Sequence, residues 1–307
     1  MSTSPSASVQ PCPPELLKAA LRVLHDGVAE TDRAGLIQSL DGAKPGDFAG
    51  LFVAVEETQV AAAAWVQPLT GNMAAVWPPD GANPHATAVL ARAAQFVDDR
   101  GFGVAQAIVG LADAPTGAAL VAAGFPQLAE LAYLFAEATP QSDDGGAALT
   151  FRGRAGDDPQ RLGALLKRTY VASRDVPALE GARDMADVLA SYRAQGEHLA
   201  AHWYRIECDG VDAAALLLAA HADCGNWELV YVGVAPEFRG RGWGVQIVRR
   251  ALALAAAGGA ERLVLAVDAD NEPAQAMYAA AGFAQWDRRR VYARLRSPRA
   301  TSRGDAG

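Results

Sequence analysis

A glycine-rich turn between an apolar strand and an amphipathic helix is the feature that most constrains this chain. Residues 230–234 read Val-Tyr-Val-Gly-Val, and residues 239–244 read Arg-Gly-Arg-Gly-Trp-Gly. Glycine permits unusual backbone angles and carries no side chain, so backbone amides can crowd round one ligand. The helix that follows directs its positive dipole end to the same point. The turn therefore predicts an anion site, to which Arg239 and Arg241 could add charge.

The common phosphate-binding fingerprints do not fit this turn. Gly240, Gly242 and Gly244 alternate, whereas the dinucleotide pattern would need a glycine where Val245 stands. The turn also lacks the Gly-Lys-Ser/Thr of a P-loop. Because such turns are often mere connectors, the turn alone leaves a binding role and a structural role open.

A second strand and a capped helix follow. The apolar run 263–267 predicts a strand buried on both faces. Asn271 is placed to cap the next helix, and Pro273 falls in its first turn. This helix is predicted to stop at Gly282, a residue type typical of helix ends.

Together these segments resemble the GCN5-related N-acetyltransferase (GNAT) family. The matching motifs are R-x-x-G-x-G at 239–244 and N-x-P-A-x-x-x-Y-x-x-x-G-F at 271–283. The resemblance implies an α/β (α+β) fold with a mixed, mostly antiparallel central sheet flanked by helices. It also implies acetyl-CoA as the acyl-donor cosubstrate, and no metal.

The resemblance implies a role for each cofactor-binding residue. In that family the strand before the turn splays from its neighbour and exposes backbone groups to the pantetheine arm, while the amides of the turn hold the pyrophosphate. The asparagine at the start of the later helix helps to fix the cofactor arm. The residues so implied are Val232, Gly233, Val234, Arg239, Gly240, Arg241, Gly242, Trp243, Gly244, Val245 and Asn271.

Two residues resemble the family's catalytic groups. Tyr278 would lie beside the thioester sulfur, where a phenol of pKa about 10 can donate to a thiolate whose conjugate acid has pKa about 8.5. Glu228 stands where the family often holds the base. A carboxyl of pKa about 4.3 is a weak base, so relay through water is expected. Core packing of Tyr278 and a solvated strand edge for Glu228 are the structural alternatives. Tyr231, which is also a predicted substrate contact, is the fallback participant.

The acceptor is harder to place. In the family the region that corresponds to the loop 173–181, before a predicted helix at 184–194, covers the acceptor, so Asp175 and Glu180 could recognise its ammonium group. Ordinary surface charge is the alternative for both. The predicted acceptor is a small-molecule amine.

Composition excludes several classes of function. The net charge of −8 argues against nonspecific nucleic-acid binding. The exception, Arg288 to Arg290, is interpreted as a solvated edge before a strand or as a contact for the outer phosphate of the cofactor. Three cysteines without a C-x-x-C pair and five histidines without H-E-x-x-H predict neither a disulfide framework nor a metal site. No apolar run approaches membrane-spanning length, so a cytoplasmic protein without membrane contact is expected.

The first half of the chain repeats landmarks of the second. Residues 113–125 align without gaps on 271–283, and both end in Ala-Ala-Gly-Phe. Three prolines in 77–84 remove amide donors where the first copy's phosphate turn would lie, and Leu120 replaces Tyr278. The first copy is therefore predicted to shape structure or substrate rather than to bind phosphate. Chance recurrence of an alanine-rich string is the alternative.

The sequence thus predicts tandem GNAT folds. The predicted segments are a disordered lead at 1–13, a degenerate domain at 14–138, a linker at 139–148, a catalytic domain at 149–297 and a disordered tail at 298–307. The predicted function is an N-acetyltransferase in which a primary amine attacks acetyl-CoA directly, in the C-terminal domain of a monomer or homodimer. The alternatives are a noncatalytic acyl-CoA-binding sensor or scaffold, and a protein N-terminal or lysine acetyltransferase.

Overall fold

A computed structural model of the chain describes residues 7–140, 149–179 and 181–296. Glu180, most of the predicted linker and the predicted tail lie outside the described residues. The chain forms two compact units. Unit 1 takes in residues up to 128, residues 178–184 and residues from 291 onward, and unit 2 takes in 129–177 and 185–290.

Among its described residues, unit 1 has a mixed sheet and the α-helices α1 to α4. Its sheet order is β1-β2-β3-β4-β5, with the C-terminal part of β12 beside β5. The pairs from β1 to β4 are antiparallel, and β4 with β5 is parallel. Its elements are β1 (Ser8–Pro11), α1 (Leu17–Gly27), α2 (Arg33–Asp41), β2 (Leu51–Glu56), β3 (Gln59–Leu69), β4 (Met73–Trp77), α3 (Ala86–Arg100), β5 (Val104–Gly110), α4 (Ala114–Ala122) and the end of β12 (Ala284–Leu295).

Unit 2 has the same kind of architecture. Its sheet order is the N-terminal part of β12, then β6-β11-β10-β9-β8-β7. Only β10 with β11 is parallel among the strand pairs whose register is described in this unit. Its elements are β6 (Gln127–Glu137), β7 (Thr150–Arg152), α5 (Pro159–Tyr170), α6 (Met185–Arg193), β8 (Glu197–Cys208), β9 (Val211–His221), β10 (Asn226–Val234), α7 (Trp243–Ala257), β11 (Arg262–Asp268), α8 (Glu272–Ala280) and the start of β12. Both sheets are mixed and mostly antiparallel, which confirms the predicted fold class.

The unit boundaries differ from the predicted domain boundaries at 138 and 297. β6 pairs with β11 from Leu131 to Glu137, so residues from 129 onward belong to unit 2. Conversely, Tyr292 is buried in the core of unit 1, where the Ala293 amide donates to the Pro126 carbonyl at 3.0 Å. Each half of the sequence therefore supplies a strand to the sheet of the other unit.

Part of the predicted disordered lead is ordered. Residues 8–11 form β1, which pairs antiparallel with β2. Val9 packs against the core of unit 1. Ladder hydrogen bonds and this contact outweigh a Ser/Pro-rich composition, which by itself favours disorder.

The two faces of the sheet in unit 2 have different neighbours. Side chains alternate between the faces of a strand. Leu229 and Val232 belong to the core cluster formed with α7, whereas Tyr231 packs in the cluster formed with α5 and α6. Glu228 is opposite Ala219 in the ladder, two residues from Leu217, which lies in the α5 cluster. Glu228 and Tyr231 therefore share the face on the α5 side.

The repeated segments have the same local geometry. Asp113 caps α4 as Asn271 caps α8, each by accepting from a backbone amide three residues on. Gly124 and Gly282 end these helices at φ of 91° and 92°. After these glycines, the Phe125 amide donates to the Leu120 carbonyl at 2.9 Å, and the Phe283 amide donates to the Tyr278 carbonyl at 3.0 Å.

In the turn before α3 in unit 1, backbone amides already donate hydrogen bonds within the protein. Gly81 donates to the Thr116 hydroxyl at 3.1 Å, and Ala82 donates to the Asp80 carboxylate at 2.9 Å. The amides of residues 83, 85 and 86 also donate to acceptors within the turn. Prolines at 78, 79 and 84 have no amide hydrogen. These donors are therefore unavailable to a phosphate, as the prolines predicted.

Gly81→Ala is expected to destabilise unit 1. A Cβ at this position would overlap the backbone of Pro115 and Thr116. Backbone cannot rotate away as a side chain can, so the expected loss of unfolding free energy is at least about 2 kcal/mol. Chemical denaturation should show this loss. Gly46→Ala is the matched control, because a Cβ there meets nothing within 4 Å; equal stability of the two variants would contradict the packing described.

Candidate functional site

Strands β10 and β11 pair at their start and then separate. Their parallel register runs only from Asn226 with Arg262 to Glu228 with Val264. The ladder with β9 shifts between Leu229 and Tyr231, which marks a bulge in β10. Beyond the bulge β10 has no register with β11, so the two strands open toward their carboxyl ends. The sequence-based expectation of a splayed strand is met.

The ladder with β9 decides which backbone groups face this opening. The Ala235 amide donates to Ala213 at 2.9 Å. Hydrogen-bonded pairs alternate in an antiparallel ladder, so Gly233 also faces β9, and Val232 and Val234 face the opening. The backbone groups of Gly233 therefore point toward β9 and away from the opening, where the sequence predicted a ligand contact. The lack of a side chain at Gly233 leaves room for Tyr231, because a Cβ there would collide with the Tyr231 hydroxyl.

The turn after β10 leaves amides open at the start of α7. Gly240 and Gly242 have φ of 76° and 73°, which glycine adopts without strain. A Cβ on either would meet nothing within 4 Å, so the space above the turn is clear. Gly242 is the N-cap of α7, and no side chain caps the helix. Because the first amides of a helix have no intrahelical acceptor, those of Trp243 to Val245 are available to an anion.

The side chains of the two arginines of the turn stabilise it by contacts within the protein. The Arg239 guanidinium donates to the carbonyls of Val234, Ala172 and Thr169 at 3.0, 3.2 and 2.9 Å. The Arg239 amide donates to Pro236 at 3.2 Å. Arg241 donates to the Glu237 carbonyl and lies over the rings of Phe238 and Trp243. The structure therefore gives both side chains a structural role in place of the expected direct charge contribution, Arg239 through carbonyls near the end of α5 and Arg241 through contacts within the turn.

Glycine is required at position 244 for a different reason than at positions 240 and 242. It lies inside α7, and a Cβ there would collide with the thioether of Met277 on α8. The absence of a side chain lets the two helices pack closely. As a result, α8 and its residue Tyr278 lie close to the start of α7.

Tyr278 is buried on α8. Only 5% of the residue is exposed, and its ring lies 5.6 Å from that of Phe283. Burial raises the pKa of the Tyr278 phenol, and the negative charge of Asp175 raises it further. The phenol therefore keeps its proton, so its hydroxyl is able to donate a hydrogen bond.

Asp175 is held against the end of β11. The Asp268 amide donates to the Asp175 carboxylate at 3.2 Å, and the Val176 amide donates to the Asp268 carboxylate at 3.1 Å. Asp175 is exposed by surface area, yet surrounding protein desolvates it, and this desolvation is the main cause that raises the pKa of its carboxyl group. Both observations fit a carboxylate in a recess open to solvent. Such a group gains most from a cation.

Tyr231 lies in a cluster of phenols. Thr169 donates to the Leu166 carbonyl, so the Tyr231 hydroxyl donates to the Thr169 oxygen at 2.6 Å. The rings of Tyr170 and Tyr192 lie 5.6 and 5.7 Å from that of Tyr231. Burial raises the pKa of the Tyr231 phenol well above its usual range. Tyr231 is therefore unsuited to the fallback role of base, because its proton is both strongly held and engaged.

Glu228 has a partner that sequence reasoning missed. His221 Nε2 lies 2.7 Å from Glu228 Oε2, with 33% and 26% of the two side chains exposed. The hydrogen bond to Glu228 is the main cause that raises the pKa of His221. The available signal was the short hairpin between β9 and β10, which brings residues 221 and 226 opposite one another.

The structure also shows the local contacts of Asn271 and of the arginines at 288–290. The Asn271 side-chain oxygen accepts from the Ala274 amide at 3.3 Å, so the predicted helix cap is present. The arginines at 288–290 lie inside β12 rather than before a strand. Arg288 and Arg290 pair with Glu130, and Arg289 pairs with Asp287, so their charge is already balanced by carboxylates.

The described residues contain neither a metal-ligand cluster nor a membrane-spanning helix. Across 7–140, 149–179 and 181–296, no group of three or more His, Cys, Asp or Glu side chains is placed to hold a metal ion. No helix in the same ranges is both long and apolar enough to cross a membrane.

Comparison with known proteins gives matches in sequence and in fold. Residues 169–283 match the model of the Acetyltransferase (GNAT) family. Mycothiol acetyltransferase of Corynebacterium efficiens is 43% identical over 65 residues, which cover 21% of this chain and 22% of the relative. Mycothiol acetyltransferase of Paenarthrobacter aurescens is 32% identical over 112 residues, which cover 36% of this chain and 32% of the relative. The matched parts thus span a third or less of these relatives.

The structural comparison extends over both units. A GCN5-related N-acetyltransferase from Sphaerobacter thermophilus has a TM-score of 0.62 at 16% identity, covering 95% of this chain and 96% of that chain. At this identity the likeness concerns the fold alone. The likeness of fold therefore extends beyond residues 169–283 and takes in described residues of both units.

Proposed function

We propose that unit 2, whose residues 169–283 match the model of the Acetyltransferase (GNAT) family, transfers an acetyl group from acetyl-CoA to a primary amine. The observation that carries this proposal is the uncapped start of α7 beside the separated ends of β10 and β11. That arrangement offers open amides for a diphosphate next to a strand edge for an extended amide-bearing chain.

The donor is held mainly by backbone groups. Amides from Gly240 to Val245 bind the pyrophosphate, and each hydrogen bond to a charged oxygen contributes roughly 1.5–3 kcal/mol. Val232 and Val234 contact the pantetheine arm from the edge of β10. Arg239 contributes by fixing the turn, since its guanidinium already donates to three carbonyls. Asn271 adds its amide group from the start of α8.

The acceptor is a small amine whose ammonium group binds near Asp175. The raised pKa of the Asp175 carboxyl group makes pairing with a cation favourable. The names of the two mycothiol acetyltransferase relatives support a small-molecule acceptor. Glu180 stays a prediction for the same subsite, because it lies outside the described residues.

The reaction is a direct transfer within one site. Glu228 accepts a proton from the amine, directly or through water, and the amine nitrogen attacks the thioester carbonyl. The carbon–sulfur bond then breaks, and the thiolate leaves with a hydrogen bond from Tyr278. The raised pKa of the Tyr278 phenol makes donation of a hydrogen bond, rather than full proton transfer, its main contribution. Holding both reactants in one site supplies the remaining rate gain.

Amine-dependent release of coenzyme A tests this function. The full chain would be incubated with acetyl-CoA and a panel of small amines, amino sugars, amino acids and peptides, with the free thiol measured and the products weighed by mass spectrometry. We expect thiol release that requires a small amine and yields its acetylated form. Acetyl-CoA binding without release for any amine would instead support a sensor or scaffold. Acetylation of peptides alone would place the acceptor in the protein class.

Asp175→Asn is expected to weaken binding of the acceptor amine and to leave binding of acetyl-CoA unchanged. Loss of a charge-assisted hydrogen bond should raise the KM for the amine about tenfold or more, with the Kd for acetyl-CoA unchanged. Steady-state kinetics with the best amine of the panel measures this change. Asp157→Asn is the control, because Asp157 is exposed and pairs with Arg154. An unchanged KM in Asp175→Asn would remove Asp175 from the acceptor subsite.

A further inference from the structure

The side chains of His221 and Glu228 form a pair at one end of the β9–β10 hairpin. His221 is the last residue of β9 and lies opposite Asn226, while Glu228 lies two residues further along β10. The His221 Nε2 to Glu228 Oε2 distance is 2.7 Å. Glu228 has a second carboxylate oxygen, Oε1, and points to the face that also carries Tyr231.

The surroundings leave room for the imidazole of His221 and bind the backbone of this residue. A Cβ at Gly196 would lie 2.9 Å from Cε1 of His221, so this glycine leaves the space that the ring occupies. The Cys224 thiol donates to the His221 carbonyl at 3.5 Å. With 33% of the His221 side chain exposed, water still reaches the ring.

The charges near His221 are mainly negative. Glu228 on β10 and Asp223 in the hairpin connection act on the ring directly. On the neighbouring strand, Glu197 and His198 of β8 lie opposite Ala220 and Ala219 of β9. The pKa of His198 is lowered, mainly by burial, so this second histidine adds little positive charge near neutral pH.

An isolated carboxylate is poorly matched to the proposed reaction. A glutamate has pKa about 4.3 and an imidazole about 6.5, and a base works best when its pKa lies near the working pH. A carboxylate bonded to an imidazole can take up one proton as a unit. The proton then settles on the more basic imidazole, and the pair titrates with a value that belongs to both groups.

We propose that His221 and Glu228 together form the proton acceptor for the attacking amine, with His221 acting through Glu228 as a positioning and proton-storing residue. This inference rests on the proposed function. The amine N–H bond breaks as Glu228 Oε1 gains the proton, and the charge of the pair changes from −1 to zero. Water carries the proton on to His221 Nδ1, which leaves an imidazolium beside a carboxylate. The imidazolium then loses its proton to solvent, which restores the pair.

The direction of the pH effect follows from the raised pKa of His221. Below about pH 6.5 the pair already holds its proton, which stabilises the fold but prevents it from accepting another. As the pH rises through the folded-state pKa, the stabilisation is lost and the pair becomes active. The acidic limb of the rate profile therefore belongs to the pair.

His221→Gln separates this role from a merely structural one. Glutamine can still donate to Glu228 but cannot store a proton. We expect kcat/KM to fall about 10- to 100-fold at neutral pH, and the acidic limb to move at least about one pH unit lower, toward the range of a lone carboxyl group. An acceptor amine of pKa below about 6 keeps its own titration from masking the shift. His202→Gln is the control, since His202 is half-buried beside Trp227 and Tyr204.

Two further readouts keep the test decisive. NMR titration should show the pKa of His221 falling in Glu228→Gln, a result that does not depend on turnover. A His221→Gln enzyme with wild-type rate and an unmoved acidic limb would overturn the proposal. Failure of the proposed function is distinguishable, because the wild-type chain would then release no coenzyme A with any amine.

Discussion

Tyr278→Phe is expected to lower kcat about 100-fold while the Kd for acetyl-CoA stays within a factor of about two. The phenol lies 5% exposed on α8 and keeps its proton because burial and Asp175 raise its pKa. Its hydrogen bond is needed only when negative charge develops on the departing sulfur, so its loss acts on the transition state rather than on binding. Steady-state kinetics and calorimetric titration with acetyl-CoA measure the two quantities.

Tyr292→Phe is the matched control for this variant. Tyr292 is also 5% exposed, but it is buried in the core of unit 1. The same hydroxyl is removed, so any general effect of deleting a buried phenol should appear in both variants. Equal kcat values for Tyr278→Phe and the wild type would leave Tyr278 as a packing residue only.

Gly242→Asp is expected to weaken acetyl-CoA binding about 100-fold, which corresponds to about 2.7 kcal/mol. The substitution places a carboxylate at the N-cap of α7, where the proposed pyrophosphate binds. Two negative charges about 4 Å apart near a protein surface repel by about 4 kcal/mol before screening by salt. The Kd from calorimetric titration should rise, and added salt should reduce the difference.

Two variants separate charge from backbone strain at this glycine. Gly242→Asn has a similar shape without the charge, and its Kd should rise much less. Gly210→Asp has the same charge at a similar φ of 79° in the β8–β9 hairpin, with nothing within 4 Å of its Cβ. It should bind acetyl-CoA like the wild type. An unaltered Kd in Gly242→Asp would mean that the start of α7 does not meet the diphosphate.

Local sequence signals predicted the elements that position the site. The apolar runs of β10 and β11, the Asn271 cap and the Gly282 stop each depend on residues close together in the chain, where periodicity and capping rules apply. The three alternating glycines were also recognised, although their reasons differ. Two of them adopt positive φ, and Gly244 makes room for Met277.

Contacts between distant residues were not predictable in the same way. Arg239 donates to Thr169 and Ala172, about 70 residues earlier, because the end of α5 packs beside the turn. The exchange of β6 and β12 between units likewise depends on which strands find partners across long stretches of chain. The local sequence of these segments does not indicate which distant residues they contact. The Arg239 guanidinium was therefore expected to bind the ligand, and the domain boundaries were expected near 138 and 297.

Comparison of the two units explains why only one is proposed to bind acetyl-CoA. Both have a splayed pair of strands followed by a helix, since β4 and β5 also pair over only three residues. In unit 1 the amides of the intervening turn donate to Asp80, Asn83 and Thr116. In unit 2 the helix start is uncapped. The difference lies in whether donors remain, and not in the fold.

The central claim is that backbone amides at the start of α7 bind the diphosphate of the cofactor. A ¹H–¹⁵N correlation titration of the full chain with coenzyme A tests it most directly, because each amide reports separately. The account predicts saturable shifts at the amides of residues 240–245 and of Val232 and Val234, with no shifts at 81–86. Saturable shifts confined to other residues, with 240–245 unmoved, would contradict it.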